Sequence, residues 1–116
     1  FVLKSLERMV GGEIFVPKLP SMNIMDLAKD LAPECTIKTI GIRSGEKIHE
    51  IMVPRDDSRH TLEFKDHYII QPDFHFWKNR FTVPGGKAVA EDFEYSSGTN
   101  PWTLGIEEMR EIIKAA

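Results

Sequence analysis

The sequence predicts a mixed α/β fold, on three observations. Apolar residues recur at helical spacing in four short stretches, and two β-branched and aromatic stretches flank a polar turn. A regular run of βαβ units is lacking. With 116 residues and 41% hydrophobic content, the chain also has the size of one domain with a modest core. We therefore expect a single domain over residues 1–116.

The first predicted elements are a helix, a strand and a second helix. Helical spacing of Val2, Leu6 and Met9 begins almost at residue 1, which is Phe, so we expect an excised or processed piece of a longer chain. After two glycines, residues 13–16 read as a short strand closed by proline. Ser21 is then the expected N-cap of a helix that ends at Pro33.

A second strand and a short helix are expected in the middle of the chain. Residues 37–42 alternate apolar and polar side chains, which favours a strand with one buried face. Residues 43–46 then form a tight turn. From Gly45, the residues Ile48, Ile51 and Met52 lie on one face of a short helix, which a proline ends.

The last third begins with a polar turn at residues 55–59. Residues 61–64 and 68–70 read as a hairpin, and the prolines and glycines of residues 72–100 indicate an irregular covering segment. Thr103 is the expected cap of a final helix with an apolar stripe of Ile106, Met109, Ile112 and Ile113.

Composition excludes several classes of partner. The net charge is -3 and charged residues make up 28% of the chain, so no nucleic-acid or anionic-membrane footprint is present. No apolar stretch is long enough to span a membrane, and no signal peptide is visible. The lone Cys35 fits a reducing compartment. We expect a cytoplasmic protein that binds neither nucleic acid nor membrane.

Arg43 and Glu46 are the candidate binding residues, because they follow a predicted strand where open α/β structures place ligand groups. A guanidinium can bind two diphosphate oxygens, and a carboxylate can accept from both hydroxyls of a ribose. Spacing alone favours a structural role, with Glu46 at a helix start and Arg43 in a surface ion pair, since Arg-x-Gly-Glu is short and common.

Other constellations favour structural roles. The four histidines lack metal-ligand spacing, so no metal site is expected. The aromatic group Phe74, Phe76, Trp77 and Phe81 more plausibly anchors a segment to the core or a partner subunit than stacks bases. Residues 85–87 read as a plain turn rather than a phosphate loop, and the carboxylates around Asp56 as a solvated surface.

Cofactor and catalytic signatures are absent from the sequence. There is no glycine-rich dinucleotide fingerprint, and neither Tyr68 nor Tyr95 is followed four residues later by lysine. We therefore expect neither a catalytic residue nor a cofactor site in this chain.

Three strings resemble the C-terminal portion of inverting UDP-N-acetylglucosamine 4,6-dehydratases, which are extended short-chain dehydrogenase/reductases: residues 12–18 (GEIFVPK), 40–50 (IGIRSGEKIHE) and 92–97 (DFEYSS). The resemblance extends over essentially the whole chain, and the middle string is the most specific. It implies a substrate-binding lobe without its Rossmann domain. Family members commonly have Pro where Ser44 stands, and Lys18 and His49 match the pattern with no assigned role.

The resemblance implies that Arg43 contacts the UDP diphosphate and Glu46 the ribose hydroxyls. The parent enzyme would oxidise C4 with NADP, remove water across C5 and C6 and invert C5, feeding pseudaminic acid and related surface-glycan pathways. Its cofactor and catalytic groups would lie upstream, and it would act as a homo-oligomer. The alternatives are a UDP-sugar epimerase of the same family and a non-catalytic oligomerisation module.

Overall fold

A computed structural model describes residues 1–73 and 83–115. Contacts divide the chain into two compact units. Unit 1 consists of Phe1–Lys18 and Ile51–Ser96, and unit 2 of Leu19–Glu50 and Ser97–Ala116. Within the described ranges, no helix combines the length and apolar character needed to cross a bilayer.

Unit 1 contains two antiparallel sheets. The larger has the strand order β1-β4-β3-β5, and β2 pairs with β6 in the smaller. Helix α1 precedes them, and a 3₁₀ helix at Arg55–His60 leads into β3. The bounds are α1 Val2–Arg8, β1 Ile14–Pro17, β2 Ile51–Val53, β3 Thr61–Glu63, β4 His67–Ile70, β5 Lys87–Ala88 and β6 Tyr95–Ser96. The predicted mixed α/β fold is confirmed.

The predicted hairpin forms the centre of the larger sheet. Strand β3 pairs antiparallel with β4, and Phe64 N–H donates to the His67 carbonyl to close the turn. The other edge of β4 pairs with β1, so all four β4 residues are buried. One face carries the core cluster of Val16, Val53, Tyr68, Ile70 and Tyr95.

The opposite face of β4 holds a buried histidine. The His67 ring stacks on Phe64 with centroids 4.7 Å apart, and it also contacts the rings of Phe1 and Phe15. Its Nδ1 lies 2.7 Å from an Asp66 carboxylate oxygen. His67 is therefore mainly a core residue of this face.

Unit 2 is built on two helices, α2 (Ile24–Leu31) and α3 (Ile106–Ala115), which pack together. Met109 of α3 is only 2% exposed. The Asp30 side chain is also buried and forms an ion pair with Arg110, which joins the helices. This hydrogen bond to Asp30 raises the pKa of the Arg110 guanidinium, so the ion pair is retained well above neutral pH.

The predicted strand at residues 37–42 and the predicted helix from Gly45 are wrong. Residues 36–50 contain no helix or strand, and the side chains of Ile40 and Ile42 are 73% and 67% exposed. Ile51 and Met52, assigned by helical spacing, instead lie in β2, which pairs with β6. A strand forms only where a partner satisfies its backbone, and β6 supplies one to residues 51–53.

Both predicted helix caps are also wrong. Asn23, not Ser21, caps α2, because its side-chain oxygen accepts from Met25 N–H at 2.9 Å. Ser21 and Thr103 instead form a parallel bridge, in which the Ser21 carbonyl accepts from Leu104 N–H. Both residues are thus committed to extended backbone.

Two further regions differ from expectation. The polar turn at residues 55–59 is a 3₁₀ helix, and the segment expected to be irregular contributes β5 and β6. The predicted aromatic anchor of Phe74, Phe76, Trp77 and Phe81 lies outside the described residues.

Candidate functional site

The tight turn predicted at residues 43–46 is present in unit 2. Glu46 N–H donates to the Arg43 carbonyl at 3.1 Å, and Gly45 has a φ of 87°. Ser44 is not in the positive-φ region, so the combination is that of a type II turn. Glycine is favoured at the third position because other side chains rarely adopt this conformation.

The side chains of the turn bind each other. Arg43 Nε lies 3.1 Å from Glu46 Oε1, and Arg43 N–H donates to Oε2 at 2.8 Å. The Arg43 side chain is 77% exposed and that of Glu46 is 46% exposed. One carboxylate thus orients the guanidinium while both groups face solvent.

The structure removes one of the two structural explanations that the sequence offered for the Arg43–Glu46 pair. Glu46 does not begin a helix, so a helix dipole cannot account for it. The exposed ion pair alone contributes little to stability, since such pairs contribute at most about 1 kcal/mol. Two polar groups of opposite charge, fixed on one turn and accessible, are well suited to a ligand with both an anionic and a hydroxyl part.

A second loop fixes the chain just beyond the turn. Glu50 N–H donates to Ser97 Oγ at 3.0 Å, and Ser97 N–H donates back to the Glu50 carbonyl at 2.8 Å. The His49 ring lies against Gly98. Sequence reasoning assigned no role to Ser97 or Gly98, because contacts between residues 47 apart leave no local signal. The hints were that His49 and Ser97 lie in two of the strings that resemble the dehydratases.

A cleft of about 430 Å³ lies in the same unit. One part of its lining comes from the chain leading into α2, and others come from His49 and the Ser97–Gly98 loop. The lining contains no charged side chain: it is formed by Ser21, Met22, Asn23, Ile24, Ile48, His49, Ser97, Gly98, Thr103 and Leu104. The cleft therefore suits uncharged groups.

Lys18 has a structural role in unit 1. Its Nζ lies 2.7 Å from Glu63 Oε1 and 4.9 Å from the centroid of the Tyr68 ring. This cation holds β1 to the hairpin strands through an ion pair and a cation–π contact. Burial raises the pKa of the Tyr68 phenol above its usual 10.0, so the ring below Lys18 is neutral.

The remaining candidates form no metal site in the described part of the chain. Residues 1–73 and 83–115 contain no group of three or more His, Cys, Asp or Glu side chains arranged to hold a metal. His60 and His67 are engaged with Asp73 and Asp66, and the hydrogen bond with His67 lowers the pKa of the Asp66 carboxyl. Cys35 is exposed and unpaired by any disulfide among these residues.

Of residues 85–87, which we predicted to be a plain turn, Gly85 lies in a turn at residues 84–85 and Lys87 begins β5. The turn leads into strand β5 rather than into a helix. A Cβ on Gly86 would lie 2.8 Å from the Phe64 ring and 2.8 Å from Leu62 Cβ. This glycine is therefore required by packing, and the turn lacks the following helix of a phosphate loop.

The chain is similar to a polysaccharide biosynthesis family and to proteins named as enzymes that act on UDP-sugars. Residues 1–72 match the family described as "Polysaccharide biosynthesis protein". The chain is 50% identical, over 97% of its length, to a "UDP-N-acetylglucosamine 4,6-dehydratase (inverting)" of Campylobacter jejuni. A "UDP-glucose 4-epimerase" of Rickettsia canadensis is 34% identical over 97% of the chain.

A solved structure shares the fold. The X-ray structure of Pen from Bacillus thuringiensis has a TM-score of 0.80 and 25% identity, and the match covers 97% of this chain and 34% of that one. The chain spans 36% of the Campylobacter protein and 34% of the Rickettsia protein.

Proposed function

Because the chain belongs to the polysaccharide biosynthesis protein family, we propose that it is the UDP-sugar-binding part of a UDP-N-acetylglucosamine 4,6-dehydratase. The resemblance to inverting dehydratases indicated by the three strings is confirmed by the Campylobacter relative. The assignment of residues 1–116 to a single sugar-nucleotide-binding domain stays a prediction.

The observation that carries the proposal is the Arg43–Glu46 turn. The guanidinium uses Nε on Glu46, and its exposed side chain can offer its other N–H groups to a diphosphate. Glu46 accepts from Arg43 at both oxygens, and each oxygen has a second lone pair for a ribose hydroxyl. Arg43 would thus hold the diphosphate and Glu46 the ribose.

The parent reaction follows from the family resemblance. It would remove water across C5 and C6 of the sugar after oxidation at C4 by NADP, with inversion at C5. The glycine-containing turn before β5 is followed by a strand rather than by a helix, so it lacks the architecture of a phosphate-binding loop. We therefore assign NADP and the catalytic groups to the rest of the parent enzyme, and we expect this chain alone to be inactive.

The cellular setting is the remaining part of the proposal. We place the parent enzyme in the cytoplasm as a homo-oligomer, supplying bacterial surface-glycan pathways such as that of pseudaminic acid. The family description supports a role in polysaccharide biosynthesis. The cytoplasmic location, the homo-oligomer and the pseudaminic acid pathway rest on the resemblance to the inverting dehydratases.

A UDP-sugar 4-epimerase is the second candidate, favoured by the Rickettsia relative. The same nucleotide-binding turn could serve either reaction, because a fold and a binding site do not fix the chemistry. NMR of the product of the full-length enzyme distinguishes them: a 4-keto-6-deoxy sugar identifies a dehydratase, and retention of the 6-hydroxyl excludes it. The third reading, a non-catalytic oligomerisation module, predicts no UDP-dependent effect of either turn residue.

The direct test is calorimetry of the full-length enzyme with UDP. We expect Arg43→Ala to weaken binding by about 2 kcal/mol, roughly thirtyfold in Kd, because a charge-assisted hydrogen bond is lost. The matched control is Arg55→Ala, an exposed arginine of unit 1. Unchanged UDP affinity of Arg43→Ala would refute the assignment.

Glu46 has its own test. Glu46→Ala should weaken UDP binding more than it weakens binding of an analogue without the ribose hydroxyls, because the analogue loses only the orientation of Arg43. Equal loss for both ligands would show that Glu46 acts only by orienting Arg43.

A further inference from the structure

The Arg43–Glu46 turn lies in a segment without regular structure. Residues 36–50 include no helix or strand, so no ladder of hydrogen bonds holds the turn in place. An exposed ion pair is too weak to fix a loop by itself. A binding turn needs such support, because an affinity that depends on bidentate geometry is lost when the groups are displaced.

Two hydrogen bonds anchor the chain four residues after Glu46. The Glu50 N–H donates to the Ser97 hydroxyl at 3.0 Å, and the Glu50 carbonyl accepts from the Ser97 N–H at 2.8 Å. Four residues span at most about 14 Å of extended chain, so this reciprocal pair restricts where Glu46 can lie.

The contact between the His49 ring and Gly98 adds a steric constraint next to these hydrogen bonds. A Cβ placed on Gly98 would lie 2.7 Å from His49 Cγ, 2.9 Å from Cδ2 and 3.0 Å from Nδ1. Three ring atoms at this distance mean that the imidazole covers the Gly98 backbone, so a larger residue at this position would force the exposed His49 ring to move. Gly98 has no positive φ, and its requirement is therefore contact with His49 rather than backbone conformation.

We propose that His49, Glu50, Ser97 and Gly98 form a latch that positions the Arg43–Glu46 turn for the nucleotide. The inference rests on the proposed function, since it assigns positioning residues to the same site. It also gives a role to His49. The latch residues touch the chain around the turn, and they act on the ligand through Arg43 and Glu46.

The test is a double-mutant cycle in the full-length enzyme, with UDP affinity measured by calorimetry. We expect Gly98→Ala to raise the Kd about tenfold, to have a smaller effect when Arg43→Ala is already present, and to add less than about twofold when Arg43→Ala and Glu46→Ala are both present. This coupling is expected because the latch acts through the turn; general destabilisation would weaken binding equally in both backgrounds. The matched control is Gly105→Ala in the same unit, where the added Cβ meets only Glu108 Oε2 at 3.7 Å.

Two further variants keep the test valid if Gly98→Ala fails to fold. Ser97→Ala should weaken UDP binding, and Ser97→Thr, which retains the hydroxyl, should restore it. In Gly98→Ala, adding His49→Ala should recover part of the affinity, because the clash is removed while the Glu50–Ser97 bonds can re-form.

The outcomes separate the two proposals. If Arg43→Ala does not weaken UDP binding, the proposed function fails and the latch with it. If Arg43→Ala weakens binding while Gly98→Ala or Ser97→Ala behaves like Gly105→Ala, the latch is refuted and the UDP site stands. Independent effects of Gly98→Ala and Arg43→Ala would also refute the latch.

Discussion

Arg43 and Glu46 bind each other across one turn, with Nε 3.1 Å from Oε1 and the Arg43 N–H 2.8 Å from Oε2. The carboxylate therefore fixes both the backbone and the side chain of its partner. A diphosphate that approaches Arg43 meets a guanidinium already oriented, so less side-chain entropy is lost on binding. The cost is that Glu46 shares its charge between the arginine and any ligand.

Arg43→Lys should retain the positive charge but lose the planar fork. We expect UDP affinity to fall about five- to tenfold, because an ammonium cannot hold two diphosphate oxygens in parallel. Binding of UMP, which lacks the second phosphate, should change less. Calorimetry with both ligands measures the difference, and Arg55→Lys is the control. Equal losses for UMP and UDP would contradict a bidentate contact.

Ser44→Pro should stabilise the turn. Ser44 occupies the second position of a type II turn, where proline's fixed φ is favoured. We expect a gain of about 0.4–1 kcal/mol in unfolding free energy of the protein, with UDP affinity equal or higher. A lower melting temperature would show that the turn needs the Ser44 N–H.

Gly45→Ala should destabilise the turn that Ser44→Pro is expected to stabilise. A Cβ added at Gly45 would meet no described atom within 4 Å other than those of its chain neighbours. Only the φ of 87° therefore resists the substitution. We expect a loss of about 1 kcal/mol in stability. UDP affinity should fall as well, because Glu46 would leave its position relative to Arg43.

Local patterns predicted those elements whose partners lie nearby in the sequence. The hairpin of β3 and β4 was predicted because its strands are adjacent and a polar turn joins them. The turn at Gly45 was predicted for the same reason: its geometry depends on four consecutive residues.

Elements that depend on distant partners were predicted wrongly. Ile51 fits helical spacing with Ile48 and extended spacing with Val53, and the pairing with Tyr95 and Ser96 decides for a strand. Residues 37–42 have a strand pattern, but among residues 1–73 and 83–115 no strand pairs with them, and their isoleucines are exposed. The apolar–polar pattern of a segment shows which element it can form. The segment forms a strand only where another strand is available to pair with it.

Gly86→Ala should destabilise unit 1. The new methyl group would lie 2.8 Å from Leu62 Cβ, which is fixed to the backbone of β3 and cannot rotate away. The pairing of β3 with β5 must therefore shift, at a cost of about 1–3 kcal/mol. Urea unfolding compared with Gly105→Ala measures it, and equal stability of the two variants would contradict the packing requirement.

Tyr68 should make the protein less stable at high pH. Burial raises the pKa of the folded-state phenol above the usual 10.0, whereas the unfolded phenol ionises near that value. The stabilisation is fully present below the unfolded pKa, and it is lost as pH rises towards the folded pKa, because only the unfolded state releases the proton. Lys18 above the ring opposes the shift, but burial is the larger effect.

The matched variant is Tyr68→Phe, which retains the ring below Lys18 and removes the ionisable group. Unfolding free energies of both proteins, measured at about pH 8 and about pH 10.5, isolate the contribution of this phenol, because every other group titrates in both. We expect the wild type to lose more stability than Tyr68→Phe between the two pH values. The tyrosinate absorbance of the folded wild type should correspondingly lack the contribution of one phenol at the unfolded pKa. Parallel losses in the two proteins would mean that water reaches the Tyr68 hydroxyl, and that the Lys18–Tyr68 contact is not shielded from solvent.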